Sequence, residues 1–342
     1  MKKIRVAVVG ATGYTGEELV RILADHEDAE LSYVSGKEDR DIKIQEIFPY
    51  LKNRVNLECK AFSVEEAIEK SDLVFLCLPH TVSMTVAPLF LGAKKKVIDV
   101  SADYRLKDKT VYEKFYKVPH KDAVYLKGAV YGLPEINREK IKTAHLIANP
   151  GCYPTGAILG LIAGVRGAWL DPSSIIIDAK SGVTGAGRKA EKSLNFSEVN
   201  ENFKAYKLFE HQHVPEIDQE LSRASKKEVR VTFVPHLLPV NRGILSTMYV
   251  PLLKKTTTHE LIAVYRKFYA NEPFVKVYEN GALPELKHVA HTNFCDIGMR
   301  VNEEKKLAVI VSAIDNLQKG AAGQAVQNMN IMCGFKETSG LR

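Results

Sequence analysis

The chain has 342 residues, of which 45% are hydrophobic and 26% are charged. This length exceeds the usual size of one hydrophobic core, and the composition excludes a disordered or collagen-like protein. The formal net charge of +7 comes from basic residues that are spread along the sequence, which favours small anionic ligands over nucleic acid. We therefore expect no nucleic-acid partner. No apolar stretch approaches membrane-spanning length, so we also expect no membrane partner.

Five cysteines stand at wide and irregular spacings, which argues against a disulfide framework and against a paired CxxC metal site. They are Cys59, Cys77, Cys152, Cys295 and Cys333. We therefore expect a reducing, cytoplasmic environment and no bound metal. The opening sequence MKKIRVAVVG indicates a first strand and not a signal peptide, because a glycine-rich turn follows its short apolar run at once.

Residues 1–150 alternate between strand-like and helix-like patterns. The β-rich run Ile4–Val9 ends at Gly10, and apolar residues then take helical spacing from Glu17 to Ala24. Later segments alternate in the same way, with predicted strands at Leu31–Val34, Leu73–Leu78 and Val97–Val100 and predicted helices at Val64–Lys70 and Val82–Leu91. This alternation predicts an α/β fold with a parallel, doubly wound sheet of the Rossmann type.

The pattern changes after about residue 150. A helix is predicted at Thr155–Val165, and the later strands are more alternating and β-branched, at Ile175–Asp178, Glu228–Val234, Ile244–Val250 and Lys306–Ala313. This pattern predicts an α+β domain at 151–315 with a mainly antiparallel sheet, which can offer one face to a homodimer or homotetramer contact. The segment 316–342 has a helical pattern and is predicted to rejoin the first domain.

A glycine-rich loop lies between the first predicted strand and the first predicted helix. Its candidate cofactor contacts are Gly10, Thr12, Gly13, Tyr14, Thr15 and Gly16. Glycines in this position allow a tight turn and close approach of a pyrophosphate, while the N–H groups at the start of the helix stabilise its charge. A structural turn is the alternative, but the flanking strand and helix favour dinucleotide binding.

The end of the second predicted strand indicates which nicotinamide cofactor is bound. NAD sites usually place an acidic residue there, because a carboxylate binds the ribose 2′-hydroxyl group. This chain has Ser35 and Lys37 instead, and a hydroxyl group and an ammonium group suit the 2′-phosphate of NADP. The neighbouring Glu38 and Asp39 argue in the other direction.

Cys152 follows a Pro-Gly pair and immediately precedes a predicted helix. The N-terminus of a helix stabilises a thiolate, which is the reactive form of cysteine, and nearby backbone N–H groups can stabilise an oxyanion. The segment from His211 to Glu216 supplies two imidazoles and a carboxylate for acid–base chemistry. In an extended segment, His211 and His213 would point the same way.

At this level of detail the sequence resembles the N-acetyl-gamma-glutamyl-phosphate reductase family over essentially its full length, with the larger plan of aspartate-semialdehyde dehydrogenase. Eight ordered blocks carry the resemblance: GATGYTGEEL at 10–19, SADYRL at 101–106, YGLPEIN at 131–137, NPGCYPTG at 149–156, SGVTGAGR at 181–188, HQHVPEI at 211–217, PHLLPVNRG at 235–243 and NLQKGAAGQAVQN at 316–328.

The resemblance implies roles for individual residues. Cys152 would be the nucleophile and His213 the acid/base, with His211 as the alternative, while Glu216 would orient the imidazole or the substrate. Further cofactor contacts would come from Pro79, Ser181, Gly182, Gly185 and Asn316. Arg105 would bind phosphate, which suits its planar guanidinium, and the remaining candidate substrate contacts are Ser101, Asn149 and Arg242.

The implied activity is NADPH-dependent reduction of an acyl phosphate through a cysteine thioester, with an acyl phosphate and inorganic phosphate as the small-molecule partners. Aspartate-semialdehyde dehydrogenase and a reductase of a carrier-protein-bound aminoadipyl phosphate would use the same chemistry and stay open. A nucleotide-sensing regulatory protein without catalysis is the alternative outside the enzymes, since a Rossmann fold alone does not establish function.

Overall fold

A computed structural model describes residues 3–37, 41–188 and 190–342 of the protein. The described chain divides into two compact units. Unit 1 comprises the residues up to Pro150 together with Ala321–Arg342, and unit 2 comprises Gly151–Gly320. Each unit has its own β-sheet.

Unit 1 is built on a sheet that has eight strands within the described residues. The strands are β1 Ile4–Val9, β2 Ala29–Ser35, β3 Ile42–Lys43, β4 Glu58–Lys60, β5 Leu73–Leu76, β6 Lys96–Asp99, β7 Val130–Tyr131 and β8 Leu146–Ala148. Their order is β3-β4-β2-β1-β5-β6-β8-β7, and the pairs are parallel except for β3 with β4. The central strand β5 is apolar along its length, and β1 is apolar except for Arg5, because helices cover both faces of such a sheet. The Rossmann-type architecture is therefore confirmed.

The helices of unit 1 connect these strands. They are α1 Tyr14–Leu23, α2 Ile44–Ile47, α3 Val64–Lys70, α4 Ser83–Gly92, α5 Lys109–Tyr116, α6 Ala123–Gly128, α7 Pro134–Lys142 and α13 Ala322–Cys333. Two apolar clusters fill the two faces of the sheet, one with Leu19 and Val326 and the other with Ala67 and Phe90.

The C-terminal helix α13 is shorter than the predicted helical segment 316–342. It begins at Ala322 and ends at Cys333, and residues 322–332 are buried within unit 1. Residues 316–320 form a turn instead, because the Asp315 carboxylate accepts the N–H groups of Leu317 and Gln318 at 2.7 and 3.0 Å. Side-chain acceptors of this kind compete with the helical hydrogen-bond pattern.

Unit 2 is built on a mixed sheet that has seven strands within the described residues. The strands are β9 Ile176–Gly182, β10 Lys204–Ala205, β11 Thr232–Leu238, β12 Ile244–Pro251, β13 Val275–Val277, β14 Cys295–Asn302 and β15 Leu307–Ile314. Their order is β10-β11-β9-β12-β15-β14-β13. The pairs β11 with β9 and β13 with β14 are parallel, and the others are antiparallel. The prediction of a mainly antiparallel sheet is thus only partly correct.

Helix α8 forms the centre of unit 2. The helices of this unit are α8 Cys152–Arg166, α9 Phe196–Val199, α10 Val214–Ser225, α11 Thr258–Phe268 and α12 Leu286–Val289. Residues 153–165 of α8 are all buried, because α8 packs between the sheet and the helices α10 and α11. Glycines permit this closeness: a Cβ on Gly160 would lie 2.4 Å from Met248 Cε.

Within residues 3–37, 41–188 and 190–342, no helix combines the length and the apolar character that a membrane span requires. In the same residues, no group of three or more His, Cys, Asp or Glu side chains is arranged to hold a metal ion.

Candidate active site

The glycine loop of unit 1 has the geometry that a dinucleotide site requires. Gly10 has a φ of +89°, and a Cβ there would lie 2.3 Å from the carbonyl oxygen of Cys77. A Cβ on Gly16 would lie 2.2 Å from the carbonyl oxygen of Gly10. Both positions therefore require glycine, and the turn brings Gly13 to the N-cap of α1 with no side chain over the helix end. The positive end of α1 is available to a phosphate group.

The first helix begins earlier than the predicted Glu17 and includes part of the predicted loop. Tyr14 and Thr15 are the first two residues of α1. Thr12 lies beneath Gly36, where a Cβ would come within 2.6 Å of the Thr12 methyl carbon. The carbonyl oxygen of Ser35 accepts the N–H groups of Gly10 and Ala11 at 3.0 and 2.7 Å. The end of β2 is thus joined to the glycine loop.

Ser35 and Lys37 differ in their exposure. The side chain of Ser35 is almost inaccessible, at 1% exposure, whereas Lys37 is exposed. Lys37 is therefore the better placed of the two to meet a ligand that approaches from solvent. The neighbouring Glu38 and Asp39, which argue for NAD in the sequence, lie outside the described residues.

Four more predicted contacts follow strands of unit 1 at their carboxyl ends, the edge at which ligands bind in doubly wound sheets. Pro79 follows β5 and is exposed, Ser101 and Arg105 follow β6, and Asn149 follows β8. The Ser101 hydroxyl donates to Asp99 Oδ2 at 2.8 Å, and burial raises the pKa of this carboxyl group to about 7.

Arg105 and Asn149 support the structure of this edge. Arg105 donates from Nε to the carbonyl oxygen of Asn149 at 2.8 Å and from Nη2 to that of Val100 at 2.9 Å. The Asn149 side chain is fully buried and donates to the carbonyl oxygen of Ala321 at 3.0 Å, while it accepts from Asn328 Nδ2 at 3.1 Å. A substrate contact by the Asn149 side chain stays a prediction, since its groups are engaged within unit 1.

Cys152 is the first residue of α8 in unit 2. Gly151 is its N-cap and has an extended backbone, with φ −68° and ψ 154°. The thiol side chain is half-buried. Because the first N–H groups and the dipole of a helix stabilise negative charge, this position suits a thiolate.

Glu216 reaches this helix end from α10. Its Oε1 atom accepts the N–H group of Gly151 at 2.8 Å, and its side chain is 1% exposed. That Glu216 orients an imidazole or the substrate stays a prediction. The contact with Gly151 holds the turn that presents Cys152.

The two histidines precede α10, and their rings lie close together. The ring centroids of His211 and His213 are 4.8 Å apart. The segment is a turn and not an extended segment: His213 has helical backbone angles at the N-cap of α10. The N–H group of His213 donates to Nδ1 of His211 at 3.1 Å, which places the proton of a neutral His211 ring on Nε2.

Burial keeps His211 neutral. The side chain lies among Tyr153, Tyr206 and Phe233 with ring centroids 5.4 to 5.7 Å away, and this burial lowers the pKa of His211 to about 4, with a smaller effect from Lys207. A ring with Nδ1 occupied and Nε2 protonated can donate a hydrogen bond but has no nitrogen left to accept a proton.

Two tyrosines form a hydrogen-bonded pair beside the thiol. Tyr153 donates to the carbonyl oxygen of His236 at 3.1 Å, so Tyr206 donates to Tyr153, also at 3.1 Å. Burial raises the pKa of Tyr206 to about 12, and the negative charge of a Cys152 thiolate adds to the effect. Tyr206 is therefore a neutral neighbour of the thiol, and no sequence motif identifies it.

Three predicted blocks of unit 2 converge where β9, β11 and β15 end. The N–H group of Gly182 donates to the carbonyl oxygen of Gly243 at 2.9 Å. Asn316 accepts from the N–H group of Gly243 at 2.8 Å and donates to Thr184 Oγ1 at 2.9 Å. A Cβ on Gly185 would lie 3.0 Å from Ser181 Oγ. The predicted contacts Ser181, Gly182, Gly185, Arg242 and Asn316 thus occupy one end of the sheet.

Gly320 is a site residue that the sequence analysis did not select. A Cβ at this position would lie 2.8 Å from the Cβ atom of Cys152 and 2.6 Å from the carbonyl oxygen of Asn316. Its place in the NLQKGAAGQ block was a usable signal, because glycine is required where a backbone passes close to another side chain.

The chain matches family models over most of its length. Residues 5–144 match the semialdehyde dehydrogenase NAD binding domain, and residues 152–316 match the semialdehyde dehydrogenase dimerisation domain. A protein from Pelotomaculum thermopropionicum named N-acetyl-gamma-glutamyl-phosphate reductase is 52% identical, over 99% of this chain and 97% of its own length. One of the same name from Geobacter metallireducens is 49% identical, over 99% of this chain and 98% of its own length.

Solved structures of similar fold are aspartate semialdehyde dehydrogenases. The type II enzyme from Vibrio cholerae has a TM-score of 0.74 at 16% identity and covers 97% of this chain and 99% of its own. The enzyme from Candida albicans, solved with NADP, has a TM-score of 0.72 at 13% identity and the same coverage. At these identities the likeness concerns the fold.

The depressed pKa of His211 makes a testable prediction. In an NMR titration, the ring signals of His211, assigned by their loss in His211→Asn, should stay unchanged from pH 8 to pH 5.5 and shift near pH 4. The unfolded chain takes up this proton near the usual histidine pKa of about 6.5. The free energy of unfolding should therefore fall as the pH drops from about 6.5 to about 4, and it should fall less in His211→Asn. A His211 titration midpoint near 6.5 would contradict the assigned environment.

Proposed function

The chain belongs to the N-acetyl-gamma-glutamyl-phosphate reductase family of semialdehyde dehydrogenases, and on this premise we propose that it reduces N-acetyl-gamma-glutamyl phosphate with NADPH. The products are N-acetylglutamate 5-semialdehyde and phosphate, and the reaction serves arginine biosynthesis. The observation that carries this proposal is the position of Cys152 at the first turn of α8. Glu216 holds this turn, and His213 lies at the start of the same helix as Glu216, α10.

Cys152 would act as the nucleophile. Its thiolate attacks the acyl carbon, the bond from that carbon to the phosphate oxygen breaks, and phosphate leaves with the electron pair. This gives a thioester, which accepts a hydride more readily than the acyl phosphate does. When bound, NADPH supplies that hydride to the thioester carbon. The resulting thiohemiacetal oxyanion collapses to the aldehyde and returns the thiolate of Cys152.

His213 would move the protons at this site. It would take the thiol proton of Cys152 before attack and return a proton to the Cys152 thiolate after the aldehyde has left, a role for which imidazole is suited near neutral pH. The engaged Nδ1 and low pKa of His211 support this choice over His211. The Nε2–H group of His211 would instead serve as a fixed hydrogen-bond donor.

Two arginines would hold the anionic groups of the substrate. Arg105 would contact the leaving phosphate, because a planar guanidinium can bind phosphate oxygens through paired N–H groups, and its contacts with the carbonyl oxygens of Asn149 and Val100 hold it at this edge of the sheet. Arg242, which belongs to unit 2, would bind the carboxylate of the substrate. The cofactor would be held by the glycine loop, Pro79, Ser181, Gly182, Gly185 and Asn316.

The open face of the unit 2 sheet supports assembly into a homodimer or homotetramer. Side chains alternate between buried and accessible along β9 and β12, and Ile176 and Tyr249, which are paired across these strands, are 44% and 37% exposed. The matching family domain is named for dimerisation. A cytoplasmic location is also proposed, because no disulfide joins the five cysteines.

The first test of function is the reverse reaction with Cys152→Ser. Wild-type protein should reduce NADP when N-acetylglutamate semialdehyde and phosphate are both present, and should use aspartate semialdehyde much less well. Cys152→Ser should abolish turnover with NADPH binding intact, because a hydroxyl group lacks the thiolate population and the leaving ability of sulfur. Cys333→Ser, at the end of α13, is the matched control and should stay active. Full activity in Cys152→Ser would rule out the thioester route.

The second test concerns the cofactor. Lys37→Glu should lower kcat/KM for NADPH by about tenfold to a hundredfold and affect NADH little, since it replaces a charged contact to the 2′-phosphate by repulsion. Lys52→Glu removes another exposed lysine of unit 1 and should leave the ratio unchanged. A wild-type enzyme that uses NADH as well as NADPH would contradict the NADP assignment.

A further inference from the structure

Asp315 is a fully buried carboxylate that the sequence analysis did not select. It follows β15, and its side chain is 0% exposed. Oδ1 accepts the N–H groups of Leu317 and Gln318 at 2.7 and 3.0 Å. Oδ2 accepts the N–H group of His291 at 2.7 Å and lies 3.5 Å from Nη1 of Arg242. Asp315 thus faces a backbone turn on one side and a guanidinium on the other.

The backbone on either side of Arg242 is fixed by contacts that do not involve Asp315. The N–H group of Val183 donates to the carbonyl oxygen of Val240 at 2.9 Å. Gly243 has a φ of +107°, and a Cβ there would lie 2.8 Å from the side chain of Leu286. Because the main chain is held in this way, the remaining freedom of Arg242 is in its long side chain, which is 18% exposed.

Asp315 is also connected to the nucleophile Cys152 through a single residue, Gly320. Its carbonyl oxygen accepts the N–H group of Gly320 at 3.0 Å, and Gly320 packs directly against Cys152. One residue therefore joins the candidate substrate arginine to the turn beneath the thiol. The two connections use different atoms, the carboxylate for Arg242 and the main chain for Gly320.

A buried carboxylate beside a partly exposed guanidinium limits the directions in which the guanidinium can point. The charge pair acts through a poorly screened environment, and it reduces the conformational entropy that a long arginine side chain loses when it binds a ligand. At 3.5 Å the interaction is one of charge more than of a direct hydrogen bond. We propose that Asp315 is a positioning residue that aims Arg242 at the carboxylate of the substrate, an inference that rests on the proposed function.

Asp315→Asn separates this role from support of the turn. The amide oxygen can take the place of Oδ1 and keep the N–H groups of Leu317 and Gln318. The amide nitrogen then replaces Oδ2, where it faces the N–H group of His291 and the guanidinium of Arg242, both of which are donors. The variant therefore keeps the 316–320 turn and removes the charge that positions Arg242.

The experiment is a double-mutant cycle of Asp315→Asn with Arg242→Gln, measured as phosphate-dependent NADP reduction with N-acetylglutamate semialdehyde. Asp315→Asn should raise KM for the aldehyde by about tenfold with kcat within about twofold and KM for NADP unchanged. In the Arg242→Gln background it should add almost nothing, because its effect acts through Arg242. The rate at which neutral iodoacetamide alkylates Cys152 should not change.

Asp296→Asn is the matched control. Asp296 is another buried carboxylate of the same sheet, on β14, and accepts from the Tyr278 hydroxyl at 2.8 Å, so its replacement should leave KM for the aldehyde unchanged. Additive losses in the cycle, or a changed alkylation rate in Asp315→Asn, would overturn the positioning role in an enzyme that is otherwise active. A wild-type protein without the reaction would overturn the proposed function and this inference together.

Discussion

The hydrogen bond from the Gly151 N–H group to the Glu216 carboxylate, 2.8 Å long and shielded from solvent, is the contact on which unit 2 depends. Gly151 is an N-cap without a side chain, so the start of α8 lacks the usual local acceptor for its N–H groups. A carboxylate from α10 instead accepts the N–H group of the N-cap residue itself, and it interacts favourably with the positive end of α8. The contact fixes α10 against α8. It thereby also fixes the position of His213, at the N-cap of α10, relative to the start of α8.

This arrangement places two negative groups at one helix end. The carboxylate of Glu216 takes the N–H group that precedes Cys152, while the thiolate of Cys152 depends on the N–H groups and the dipole of the same first turn. The neutral surroundings limit the repulsion between them: His211 and the tyrosine pair carry no charge near neutral pH. The chemistry at Cys152 therefore takes place among dipoles and hydrogen-bond donors, which stabilise charge without bringing in a competing ion.

The glycine loop and the position of Cys152 could be predicted from the sequence because local rules decide them. A strand followed by three spaced glycines and a helix has few alternatives, and Pro-Gly before a helical run marks an N-terminus. The mixed sheet of unit 2 could not be predicted, because β9 and β11 have the same alternation of buried and accessible residues in a parallel pair as they would in an antiparallel one. Alternation of buried and accessible residues along a strand shows that one face of the sheet is covered, but it does not show the direction of the strand.

Contacts between segments far apart in sequence explain the other differences. The segment 316–321 has helical composition, but the carboxylate of Asp315 turns it away from a helix, and no pattern within the segment reveals this. The contact of Glu216 with Gly151 joins residues 65 positions apart. Gly320 is required as glycine because both Cys152, 168 positions away, and the carbonyl oxygen of Asn316 lie against it.

The central claim is that Cys152 carries the acyl group during turnover. The most direct measurement is mass spectrometry of protein mixed with N-acetyl-gamma-glutamyl phosphate in the absence of NADPH and quenched in acid, which preserves a thioester. The account predicts one added N-acetylglutamyl group on the peptide that contains Cys152, and its loss when NADPH is added before the quench. The acyl group on Cys77 or Cys295, or active protein that never carries one, would contradict it.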